Sequence, residues 1–167
     1  MAAVMRLIIG TPATGDDFFP RDDVLAVLRR GLVAEHVLFI APRRTGKTSL
    51  LKALARQSSA GTKAFYIDLE RFSHPKDWIA QMAKALVEHQ GWFEAKQQVS
   101  GLLSRIESRF FKLAPSDWTV SADRLLTELN QRDRPVLFLL DEFPIMLNLF
   151  AKQHGELEAE NALRWFR

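Results

Sequence analysis

The chain of 167 residues contains no cysteine, which excludes disulfide bridges, thiolate metal sites and cysteine nucleophiles. No apolar run approaches the roughly 18 residues that a membrane helix requires, so no membrane segment is predicted. Residues 1–10 lack the apolar core of a secretory signal. We therefore expect a cytoplasmic protein.

An excess of charge of one sign is also missing. The sequence has 23 Lys and Arg against 20 Asp and Glu, for a net charge of +3. Nucleic-acid-binding proteins usually concentrate basic residues on one face, so this balance gives a nucleic-acid partner only weak support. The hydrophobic share of 47% and the charged share of 26% are typical of a globular protein, and the length suits one domain.

The hydrophobic pattern predicts strands that alternate with helices. Short continuous apolar runs, typical of parallel strands buried on both faces, occupy residues 36–40, 64–69 and 136–140. Helical periodicity covers residues 21–30 with a stop at Gly31, residues 48–57, residues 73–134, and a tail from 145 to 167 with a break at 152–155. This alternation favours a parallel sheet with helices on both faces.

A phosphate-binding loop follows the first predicted strand. The segment APRRTGKT begins at Ala41 and matches the P-loop (Walker A) pattern except that Ala41 replaces its first glycine. Pro42, Arg43, Arg44, Thr45, Gly46, Lys47, Thr48 and Ser49 are the predicted nucleotide-binding residues. Backbone N–H groups of such a loop form a concave nest at the positive end of a helix. Gly46 would let the backbone approach a phosphate, Lys47 would contact the β- and γ-phosphates, and the Thr48 hydroxyl would bind Mg²⁺.

Two arginines of this loop allow several interpretations. Arg43 and Arg44 could reach phosphate, contact a neighbouring domain, or remain solvated on the loop. The nest itself uses backbone groups and Lys47, so it does not require either guanidinium.

A pair of carboxylates follows the third predicted strand. Asp141 and Glu142 come directly after the run VLFLL, at the carboxyl end of a parallel strand, where ligands bind in open α/β sheets. Asp141 is the predicted Mg²⁺ ligand, acting largely through water. Glu142 could polarise the attacking water as a general base. An acidic pair that merely ends a strand is the alternative, and the phosphate loop upstream argues against it.

Three segments together resemble a known family. They are the lead-in GDDFFPR, the loop PRRTGKTSL and the acidic motif DEFP, and they resemble P-loop ATPases of the AAA+ and STAND group, in the bacterial and archaeal "ATP-binding protein" branch. The resemblance spans nearly the whole chain. It implies a three-layer α/β/α P-loop NTPase fold and an ATPase that hydrolyses Mg-ATP to drive a conformational switch.

The resemblance also assigns roles outside the two motifs. The lead-in would lie against adenine, which makes Phe18, Phe19 and Arg21 candidates for the base pocket; a hydrophobic staple at the start of the first helix explains the two phenylalanines equally well. Asp68 is either a partner that restrains Glu142 or a solvated acid at a strand end. Relatives carry a further strand with a sensor residue after the acidic motif. Either residues 1–167 are the N-terminal part of a longer ATPase domain, with further domains to follow, or the sheet closes differently, and we expect the first.

Other functions stay open at this point. A nucleic-acid-directed motor or loader and a scaffold that binds nucleotide without hydrolysis are both compatible with these motifs. No guanine-specific Asn-Lys-x-Asp motif and no LSGGQ-like segment occurs, which disfavours a GTPase and an ABC transporter. The oligomeric state is open, and a homo-oligomer is one option. The four histidines show no metal-ligand spacing and are interpreted as structural.

Overall fold

A computed structural model describes residues 11–13, 18–19, 21–34, 36–57, 61–88, 118–130 and 135–166. Within these residues the protein is mixed α/β, with six helices and a two-stranded parallel sheet. The chain divides into two compact units, Met1–Ser58 and Ser59–Arg167. None of the helices in the described ranges is both long and apolar enough to cross a membrane.

The first unit contains two helices, α1 (Asp22–Ala34) and α2 (Lys47–Arg56). Two aspartates in the first turn of α1 favour its positive N-terminal end. The predicted stop at Gly31 is wrong, because α1 continues to Ala34. A Cβ atom at Gly31 would lie 2.9 Å from Cγ2 of Val37, so the glycine is explained by the close approach of Val37 rather than by a helix end.

The run at residues 36–40 is not the buried strand that the sequence predicts. It has no regular secondary structure and belongs to no sheet among the described residues. Leu38 is 77% exposed and Ile40 79%. A continuous apolar run identifies a segment that could be buried, but a strand also needs a neighbour to pair its backbone N–H and C=O groups.

The second unit contains both strands, β1 (Lys63–Asp68) and β2 (Val136–Asp141). They confirm the predicted strands at residues 64–69 and 136–140 to within one residue at each end. The strands pair in parallel from Lys63 opposite Val136 to Asp68 opposite Asp141. Their carboxyl ends therefore meet at one edge of the sheet, where both strands end on an aspartate.

Four further helices follow in this unit: α3 (Pro75–Glu88), α4 (Trp118–Asn130), α5 (Phe143–His154) and α6 (Glu156–Trp165). Helices α3 and α4 lie in the region predicted as helical, residues 73–134, of which residues 89–117 and 131–134 fall outside the described residues. The predicted break at residues 152–155 is confirmed only at Gly155, which separates α5 from α6, since α5 continues through His154. Its φ of 96° lies in the left-handed region that favours glycine.

The core of this unit lies between one face of the sheet and the four helices. Its buried side chains are Phe65, Ile67, Leu69, Trp78, Ile79, Met82, Ala83, Leu86, Trp118, Ala122, Leu125, Met146, Phe150, Ala159 and Ala162. Aromatic rings join the last helix to this core: Trp165 makes edge-to-face contacts with Trp78 and Trp118 at centroid distances of 6.0 and 5.4 Å. The three tryptophans therefore pack in or against the core.

Candidate phosphate loop and acidic strand end

The segment that leads into α2 is tightly curled. Arg44 and Gly46 both adopt left-handed backbone conformations, with φ of 61° and 82°. The Thr45 hydroxyl donates a 2.8 Å hydrogen bond to the Pro42 carbonyl, which closes the turn. Left-handed residues in such a turn direct successive backbone N–H groups to its concave side, the geometry that binds anions.

Lys47 folds back over this loop. Its ammonium Nζ donates hydrogen bonds to the carbonyl oxygens of Ala41 at 2.9 Å and of Pro42 at 3.1 Å. The ammonium therefore lies at the beginning of the loop although the residue is the first of α2. A flexible side chain held by two carbonyl groups can exchange them for the oxygens of an anionic ligand.

Gly46 is required by backbone conformation rather than by crowding within the protein. A Cβ atom at this position would meet nothing within 4 Å, but the φ of 82° is costly for any residue with a side chain. The sequence predicts a glycine that admits a phosphate, and the open space above Gly46 is compatible with that role.

The remaining loop residues differ in exposure. Pro42, Arg43 and Arg44 are exposed, Thr45 and Thr48 are half-buried, and Ser49 is buried within α2. The two arginines therefore present their guanidinium groups to solvent in this structure.

The lead-in residues lie just before α1. Phe18 and Arg21 are half-buried, whereas Phe19 is 66% exposed. The Arg21 carbonyl accepts the backbone N–H of Leu25, so Arg21 begins the hydrogen-bonding pattern of α1. Both interpretations of the phenylalanines, as part of a base pocket and as a hydrophobic staple, stay predictions.

The acidic strand end has a well-defined geometry. Asp141 is buried, with only 5% of its surface exposed. Its Oδ1 accepts the backbone N–H of Glu142 at 3.1 Å, and its Oδ2 accepts the hydroxyl of Tyr66 at 3.0 Å. Burial of a carboxylate is costly unless hydrogen bonds compensate it, and these two donors provide that compensation.

Glu142 occupies a strained position between β2 and α5. Its φ of 54° and ψ of 29° are left-handed, which is uncommon for a residue other than glycine, asparagine or aspartate. Its carbonyl accepts the backbone N–H groups of Ile145 and Met146, so it caps α5 through its backbone. Strain of this kind often occurs at functional positions, where it directs a side chain.

Sequence reasoning missed Tyr66 as a site residue. The strand AFYIDL was recognised, but not that Tyr66 shares a face with Asp68 two residues later and with Asp141 on the neighbouring strand. Burial, followed by the Asp141 carboxylate, raises the pKa of Tyr66 well above its ordinary value, so its hydroxyl stays a protonated donor at neutral pH. Asp68 is exposed and its Oδ1 accepts the backbone N–H of Glu70 at 3.0 Å.

One of the four histidines is buried at the start of α3. His74 precedes α3, and its Nδ1 accepts the backbone N–H of Lys76 at 3.0 Å, so the imidazole caps the helix. Its Nε2 is buried and has no hydrogen-bond partner among the described residues. Burial, with smaller contributions from Lys76 and His154, lowers the pKa of His74 to about 4.

The structure thus groups the predicted residues around two centres. Lys47 and Thr45 contact the carbonyls that open the loop in the first unit, and Asp141 contacts Glu142 and Tyr66 in the second. Within the described ranges, no three His, Asp or Glu side chains lie together as a metal-binding cluster. Comparisons with protein-family models, curated proteins and solved structures found no match.

Proposed function

We propose that this chain is a P-loop ATPase module that binds Mg-ATP and hydrolyses it to drive a conformational switch. The observation that carries the proposal is the curled loop before α2, with two left-handed residues and the Lys47 ammonium folded onto its first carbonyls. The motif predicts such a loop, and its conformation supports the same chemistry.

The loop would bind the triphosphate through its backbone and one cation. The N–H groups from Arg43 to Thr48 lie at the N-terminal end of α2, where the helix dipole favours negative charge. Lys47 would leave the carbonyls of Ala41 and Pro42 and donate to the β- and γ-phosphate oxygens. The exposed side chains of Arg43 and Arg44 are not needed for this step.

The acidic strand end would supply the metal ligand and the base. Mg²⁺ in nucleotide sites takes one or two protein oxygens together with phosphate oxygens and water. The Asp141 carboxylate and the Thr48 hydroxyl are each oxygen ligands of the kind that Mg²⁺ prefers. The bound ion would neutralise charge on the phosphates. Glu142, directed by its left-handed backbone, would accept a proton from the attacking water.

Substitution of Lys47 tests nucleotide binding. We expect Lys47→Ala to weaken ATP binding about 10- to 100-fold, because charge-assisted hydrogen bonds contribute roughly 1.5–3 kcal/mol. Titration calorimetry of the full chain with Mg-ATP measures the effect. Lys84→Ala is the control for loss of one positive charge, since Lys84 is exposed on α3 and forms a solvent-exposed ion pair with Glu88 on the same helix.

Two outcomes would contradict the proposal in different ways. Equal ATP affinity in Lys47→Ala and in the unsubstituted protein would remove the phosphate loop from its role. Retained binding without release of inorganic phosphate in a single-turnover assay would instead identify a nucleotide-binding scaffold.

A further inference from the structure

Tyr66 reaches Asp141 diagonally across the two strands. Tyr66 lies opposite Leu139, which is two residues before Asp141 on β2. Because side chains alternate along a strand, Tyr66 and Asp141 lie on the same face of the sheet. A diagonal neighbour on the adjacent strand lies farther away than the residue directly opposite, a span that only a long side chain bridges. The tyrosine hydroxyl crosses it and donates to Asp141 Oδ2 at 3.0 Å. A phenylalanine would cover the same span without the hydrogen bond.

The two oxygens of the Asp141 carboxylate have different donors. One is the backbone N–H of the next residue, fixed by the start of α5, and the other is the Tyr66 hydroxyl from the neighbouring strand. Two donors that approach from different elements set the rotation of the carboxylate about its terminal bond. Loss of the Tyr66 hydroxyl would remove one of these two restraints.

We propose that Tyr66 is a positioning residue of the Mg-ATP site, holding the Asp141 carboxylate in the orientation that binds the water shell of Mg²⁺. This inference rests on the proposed function and adds a residue to it. Groups that orient a metal-binding side chain typically change metal affinity 10- to 100-fold when they are removed. Tyr66 would thus control the requirement for Mg²⁺ rather than the affinity of the loop for phosphate.

The test separates metal from nucleotide. ATP affinity of the full chain is measured in EDTA, and Mg²⁺ is then titrated at saturating ATP, in the unsubstituted protein and in Tyr66→Phe. We expect the ATP affinity in EDTA to be unchanged and the half-saturating Mg²⁺ concentration to rise about tenfold. Thr127→Val is the control for loss of a single hydroxyl, because the exposed Thr127 hydroxyl donates within α4, to the Asp123 carbonyl at 2.7 Å.

Each outcome decides between the two proposals. An unchanged or lowered Mg²⁺ requirement in Tyr66→Phe, with ATP still bound by both proteins, would overturn the role of Tyr66 and leave the ATPase proposal intact. Failure of the unsubstituted protein to bind ATP in either condition would overturn both. An equal rise in Thr127→Val would also overturn the role of Tyr66, since the effect would then not be specific to its hydroxyl.

A second measurement needs no substitution. Tyr66 is the single tyrosine of the sequence, so protein labelled with ¹³C at the tyrosine Cζ carbon gives one such NMR signal. Because the Cζ shift responds to the hydrogen bond of the hydroxyl, we expect the signal of the ATP complex to move when Mg²⁺ replaces EDTA. A signal that stays in place while Mg²⁺ binds would overturn the inference.

Discussion

Two apolar runs of similar composition have different structures in this molecule. Val37 to Ile40 reads VLFI and Val136 to Leu140 reads VLFLL, and each precedes a polar motif and a helix. The second run is strand β2, paired along its length with β1, and its Leu139 is 5% exposed. The first is unpaired among the described residues, and its Leu38 is 77% exposed. Local hydrophobicity therefore does not decide between a buried strand and an exposed segment.

The difference arises from what surrounds each run. Val136 to Leu140 lies beside a second strand of matching length, and the helices of the same unit cover one face of the pair. Pairing satisfies the backbone N–H and C=O groups and makes burial of the side chains favourable. A run without a paired neighbour gains neither, whatever its sequence.

Truncation of a matched leucine in each run gives the largest expected contrast. We expect Leu139→Ala to lower the free energy of unfolding by about 2–5 kcal/mol, because it leaves a cavity in a buried site. Leu38→Ala should change it by less than about 0.5 kcal/mol. Urea unfolding followed by circular dichroism measures both.

Tryptophan fluorescence provides a probe specific to one unit. All four tryptophans lie within Ser59–Arg167, so their emission follows the unit that contains Leu139. If circular dichroism showed that Leu38→Ala lowers the free energy of unfolding by several kcal/mol, this result would contradict the exposed conformation of residues 36–40 and support the predicted buried strand.

Histidines in the two regions provide the next contrast. His36 is exposed at the start of the unpaired run, whereas His74 is buried and caps α3. Because folding lowers the pKa of His74 from 6.5 to about 4, its contribution to stability is complete above pH 6.5 and is lost as the pH falls toward 4. The expected loss is on the order of 2–3 kcal/mol.

Asparagine substitutions isolate this effect. His74→Asn keeps an acceptor for the cap but does not titrate, so we expect its unfolding free energy to fall less steeply than that of the unsubstituted protein between pH 6.5 and pH 4. His36→Asn is the matched control and should leave the profile unchanged. If the unfolding free energies of His74→Asn and the unsubstituted protein fell equally steeply between pH 6.5 and pH 4, the buried imidazole would not be the titrating group.

The contrast also explains which parts of the fold could be predicted. Periodicity identified α2, α3 and the break at Gly155, and continuous apolar runs identified both strands, because each leaves a signal in residues close in sequence. It could not show that residues 36–40 have no paired neighbour within the described ranges, since pairing depends on distant parts of the chain. Gly31 was misinterpreted for a similar reason: its role depends on Val37, which only the tertiary structure brings against α1.

The candidate site divides in the same way. The residues of the loop and the acidic pair were recognisable because their chemistry depends on fixed spacing. Tyr66 was not recognisable from spacing, since its contact with Asp141 requires the register of β1 against β2. The left-handed conformation of Glu142 was equally hidden, because glutamate gives no signal for it.

The residues immediately before α2 and α5 provide the smallest contrast. Gly46 and Glu142 are both left-handed, but only the first is a residue that adopts this conformation without strain. We expect Gly46→Ala to destabilise the protein by about 1 kcal/mol, as the backbone strain is its only cost. Glu142→Asn should stabilise it by roughly 0.5–1 kcal/mol, because asparagine tolerates the left-handed region better. Thermal and urea unfolding measure both changes.

Glu142→Gln separates the backbone from the carboxylate in this comparison. Glutamine keeps the strained conformation and removes only the charge, so stability should stay near that of the unsubstituted protein while the proposed hydrolysis of ATP is lost. Suppose that Glu142→Asn is more stable than the unsubstituted protein and that Glu142→Asn and Glu142→Gln both lose hydrolysis. The strained backbone would then lower stability but position the carboxylate that hydrolysis requires. Full hydrolysis of ATP by Glu142→Gln would remove Glu142 from the role of base. If Glu142→Gln gained as much stability as Glu142→Asn, the destabilising effect of Glu142 would come from its half-buried charge instead of its backbone strain.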